Sequence, residues 1–72
     1  MNAEQQTRME DLIRTLRRSS ELQAEHVESR LLEVLDSLRK NNHLSAWGAF
    51  MGLEDEMNYL ALTLKRIVRL TT

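Results

Sequence analysis

The chain has 72 residues, with 10 Lys and Arg against 11 Asp and Glu, 42% hydrophobic residues, no cysteine and no proline. That inventory excludes disulfides and thiolate metal sites, and a net charge of -1 supplies no electrostatic drive towards nucleic acid or an anionic membrane. A domain this short buries only about 60% of the surface its unfolded chain exposes, so it is expected to lean on a partner or on further copies of itself.

Residues 1–6 are polar and read as a frayed tail; no apolar stretch follows that would make a secretory signal. Thr7, Arg8, Met9 and Glu10 have the spacing of a capping box, which sets the expected start of a first helix near residue 8. Met9, Leu12, Ile13 and Leu16 then recur at helical spacing. The rhythm falters at Ser19 and Ser20 and resumes through Val27, Leu31, Val34, Leu35 and Leu38. Two readings follow: one helix over 8–40, or a short N-terminal helix over 8–18 and a second over 20–40. The continuous helix, kinked near Ser19, is preferred.

Arg39 and Lys40 complement the negative end of the helix dipole, and Asn41 and Asn42 tolerate the left-handed conformation that ends helices. Ser45 is the expected N-cap of a second helix over 46–70. So short a connection makes the two helices antiparallel neighbours. The expected fold is all-α: a single-domain antiparallel helical hairpin, with room for a short extra N-terminal helix, and oligomeric or partner-bound. The longest apolar run, residues 59–64, is too short to span a bilayer, and a cytoplasmic location is expected.

On the second helix Phe50, Leu53, Met57, Leu60, Leu64 and Ile67 step by three and four, the rhythm of a coiled-coil seam. The facing seam is expected from Val27, Leu31, Val34, Leu35 and Leu38. More apolar residues remain than one hairpin seam uses. Met9, Leu12, Ile13 and Leu16 on the first helix, and Trp47, Met51, Tyr59 and Leu62 on the second, are expected to form a partner or oligomer surface.

Nothing in the pattern calls for catalysis, and no catalytic residue, cofactor or metal is expected. His26 and His43 belong to no zinc-binding spacing. Glu54, Asp55 and Glu56 are consecutive, so on a helix they fan apart and do not converge on one bond. The basic residues are interleaved with acids, and Trp47, Phe50 and Tyr59 are the only aromatics available for base stacking. Gly48 and Gly52 are expected to allow close packing near the turn, not to cradle phosphate.

The head segment, Thr7-Arg8-Met9-Glu10-Asp11-Leu12, resembles the T-x-L-E-x-L opening of the small type III secretion needle co-chaperones of the YscE type. A polar turn, an aromatic opening the second helix (Trp47 or Phe50) and the phase of Met57, Leu60, Ala61, Leu64, Ile67 and Val68 extend that resemblance over most of residues 7–70. The resemblance implies a cytoplasmic hairpin that binds a tetratricopeptide-like chaperone and, with it, holds a needle subunit soluble until export. A second resemblance rests on Trp47, Ala49, Ala61, Leu62 and Thr63. It is to phage proteins that sequester cyclic oligonucleotides between protomers, and it implies a small anionic ligand instead of a protein partner.

Overall fold

The structure, a computed structural model, describes residues 3–72. It is a helical hairpin built from α1 (Ala3–Arg39), α2 (His43–Met51) and α3 (Leu53–Thr71). α1 is 37 residues long; at about 1.5 Å per residue it accounts for the long dimension of a molecule measuring 58 × 15 × 14 Å. α2 and α3 together run back along it.

α1 begins earlier than the capping box predicts. The Thr7 hydroxyl donates to the Ala3 carbonyl at 2.9 Å instead of receiving the Glu10 amide, and residues 3–6 are helical. The rest of the expected frayed tail, Met1 and Asn2, lies outside the described residues. α1 also passes unbroken through Ser19 and Ser20. The Ser20 hydroxyl donates to the Leu16 carbonyl at 2.9 Å, so this small side chain is satisfied within its own helix and lies buried in the contact between the legs.

The turn is built as the asparagines predict. Asn41 takes a positive φ of 56°, the Asn41 amide donates to Leu38 at 3.0 Å and the Asn42 amide to Ser37 at 2.8 Å. These bonds form a Schellman motif with asparagine in the left-handed position. Asn42, not Ser45, then caps the next helix, because its side chain accepts from the Ser45 amide at 3.1 Å. The second leg therefore starts at His43, three residues before the predicted start at 46.

That leg is bent where a single helix is predicted. Gly52 separates α2 from α3 with φ -82° and ψ -8°. The extra short helix thus stands just after the turn and not at the N-terminus. The phase nevertheless carries across the break: Ala46 and Ala49 precede Leu53 at seam spacing, and Ala46 and Leu53 are buried.

The seam itself differs from the predicted one. Along α1 the positions that are not exposed are Met9, Ile13, Leu16, Ser20, Gln23, Val27, Arg30, Val34 and Ser37, alternating steps of four and three. Along α3 they are Leu53, Glu56, Leu60, Thr63, Ile67 and Leu70, with the same alternation. Both are heptad lines of a near-antiparallel helix pair. Of the predicted core, Val27 and Leu53 are buried, and Val34, Phe50, Leu60 and Ile67 half-buried. Leu31, Leu35, Leu38, Met57 and Leu64 are exposed, which corrects the predicted phase. The reason lies in length. Met9, Ile13 and Leu16 line up with Val27 and Val34, and only that line serves the whole contact; the leucines at 31, 35 and 38 are densest near the turn but lead nowhere along the helix. Met9, Ile13 and Leu16 are accordingly half-buried seam residues, not part of an outer surface.

Candidate docking surface

Two contacts set the register of the legs. His26 Nε2 lies 3.1 Å from Glu56 Oε1, and Arg30 Nη2 would stand 3.5 Å from a Cβ placed on Gly52. Moving outward from these pairs, Ser20 comes level with Thr63 and Leu16 with Ile67. The Thr63 hydroxyl donates to the Tyr59 carbonyl at 3.1 Å, so both hydroxyls of that layer are satisfied by their own helices. The middle of the seam is less comfortable: Arg30 Nε and Glu56 Oε2 are enclosed without a hydrogen-bond partner.

A seam occupied by Ser20, Gln23, Arg30, Ser37, Glu56 and Thr63 leaves little apolar burial. Among the described residues the buried hydrophobic side chains are Val27, Ala46 and Leu53. Half of the large apolar residues that stand exposed among the described residues lie together on one side of the seam, whereas others, Leu32 among them, are spread over the outer face and the opposite side. In an antiparallel pair, the positions that immediately follow the first seam residue of each heptad round the helix fall on the same side of both legs. Leu31 and Leu38 hold those positions on α1, with Leu35 next to them; Met57 and Leu64 hold them on α3, with Val68 next to them. These six side chains are between 40% and 57% exposed. Trp47, by the continued phase of α2, extends this flank to the turn, where its ring stacks on Phe50 with centroids 6.3 Å apart.

The opposite flank is mixed. Leu12, Leu22, Tyr59 and Leu62 are exposed there, among Arg66, Arg69 and Glu33. Of the residues assigned from sequence to a partner surface, Trp47 therefore lies on the apolar flank and Met51 on the outside of α2. Leu12, Tyr59 and Leu62 lie across the molecule from Trp47. Sequence reasoning passed over Leu44, the most exposed large apolar residue among the described residues, at 82%. The signal for it was the composition of α2, which is apolar on nearly every side.

No protein-family model, curated protein or solved structure matches this chain.

The remaining candidates for chemistry are dispersed. His43 opens α2, and it is exposed. Glu54 and Asp55 face solvent, whereas Glu56 turns into the seam. Gly48, expected in close packing, has open space where a Cβ would stand. Among the described residues no group of three or more His, Asp or Glu is placed to hold a metal ion, no pocket forms, and no helix is long and apolar enough to cross a membrane. The ion pairs Arg8–Glu4, Arg14–Asp11, Arg18–Glu21 and Lys40–Asp36 join neighbours on one exposed helix face. Such pairs are worth a few tenths of a kcal/mol each, about 0.3–0.5.

Proposed function

We propose that this chain is a non-enzymatic helical adaptor that uses its apolar flank to hold a helix of another protein. One observation carries the reading: Leu31, Leu35, Leu38, Met57, Leu64 and Val68 keep coiled-coil spacing yet stand in water. A stripe of that spacing fits a helix laid nearly along it, and contiguous exposed apolar surface on a small protein is characteristic of an interaction site.

Within that class the head segment from Thr7 to Leu12 and the phase of the second leg support a cytoplasmic co-chaperone of type III secretion. In this role the hairpin joins a tetratricopeptide-like partner, and the two keep a self-polymerising needle subunit apart from its own kind by covering its apolar helix. Nothing catalytic is required; the work is reversible burial.

Co-expression with a tetratricopeptide-type secretion chaperone and its needle subunit tests this. The expected result is a soluble complex that retains all three chains through gel filtration, lost in the Leu31→Glu, Leu64→Glu double variant. Failure of the wild-type chain to co-purify with either protein would sink the reading. A rise in melting temperature with a cyclic oligonucleotide and none with the protein partners would replace it with ligand sequestration.

A further inference from the structure

We infer that, before any partner is engaged, a second copy of this chain covers the apolar flank, so that two hairpins form a four-helix bundle. The inference rests on the flank being a docking surface, and it commits that surface to a particular occupant.

Area is the first argument. With Trp47 at the turn end, the six flank residues leave on the order of 700 Å² of side chain in water per copy, against the roughly 600–1,000 Å² per partner that stable pairs bury. The match needs no additional surface.

The second argument is what one copy lacks. A seam with Arg30 and Glu56 at its middle and three buried apolar side chains among the described residues, of which Leu53 alone is fully enclosed, is a thin core for a two-legged domain. Covering the flank moves six further large side chains out of water and turns a two-helix contact into a packed interior. Leu31, Leu35 and Leu38 step by four and three, as do Met57, Ala61, Leu64 and Val68 by four, three and four. Knobs from a near-parallel helix therefore find holes along both legs. An isologous pair also asks for no complementary patch elsewhere on the molecule, because each flank meets its own kind.

Sedimentation equilibrium on the full chain reads the outcome directly. The wild type is expected at twice 8.4 kDa, with a melting temperature that rises with protein concentration. Leu31→Glu with Leu64→Glu places two charges in the shared interior and is expected to weaken pairing by at least about 100-fold, giving a single-chain mass. Leu62→Glu, on the opposite flank, is expected to leave the pair intact. A wild type of single-chain mass with a concentration-independent melt overturns the inference. So does a pair that survives the flank variant and is broken by Leu62→Glu. A single-chain wild type that still co-purifies with a tetratricopeptide partner overturns the pairing and spares the adaptor reading. A stable pair that ignores such partners does the reverse.

Discussion

Three residues show how local chemistry sets this hairpin. Asn41 holds φ 56°, which costs a β-branched or bulky residue far more than it costs asparagine, and Asn42 accepts the Ser45 amide at 3.1 Å. Asn42→Ala removes that acceptor and is expected to lower stability by about 1 kcal/mol in a urea melt; an unchanged midpoint would show the cap to be dispensable. Gly48 is the contrasting case. It lies inside α2 with no atom near the place of a Cβ, so its freedom serves no contact within the chain. Gly48→Ala should raise stability by about 0.5–1 kcal/mol, read as a higher melting temperature. Both asparagines were legible in the sequence as a stop signal. Which of Asn42 and Ser45 caps the second leg was not, since each is a good cap and the choice depends on where the Schellman motif releases the chain.

At the scale of the elements, the seam is the informative feature. Leu53 is fully enclosed between the legs, at 0% exposure, and Leu53→Ala is expected to cost about 2–5 kcal/mol. In so small a fold that change should leave little helical signal at 37 °C, and a native-like circular dichroism melt would refute the register. Arg30 behaves oppositely. Its guanidinium Nε is enclosed without a partner, while its stem lines the seam. Arg30→Met keeps the stem and removes the orphaned Nε donor, losing only the part-exposed pair that Nη1 makes with Glu33 at 3.6 Å, so stability should rise by about 1 kcal/mol; a fall would mean that Nε finds a partner in solution. Polar seam residues of this kind are tolerated for register more than for strength, since Arg30 and Glu56 discourage the legs from sliding past one another.

For the whole molecule, the imbalance between a polar seam and an apolar flank decides behaviour. A single hairpin leaves Leu31, Leu35, Leu38, Met57, Leu64 and Val68 partly in water, and covering them is the largest gain in burial open to it. Its stability should therefore depend on its own concentration and on its partners. A point charge on the flank should act through association, with little effect on the legs themselves.

The sequence by itself determined that the chain is helical, where it turns, and that it carries more apolar helix surface than one seam consumes. Those properties belong to short stretches: propensity, capping and turn chemistry act within a few residues. Only the tertiary structure decided which apolar stripe became the seam. Leu53, Leu60 and Ile67 belong both to the predicted stripe with Met57 and Leu64 and to the observed one with Glu56 and Thr63. Periodicity on one helix cannot separate two stripes that share every other member. The separation comes from the partner helix, where Met9, Ile13, Leu16, Val27 and Val34 must all be met along a single line.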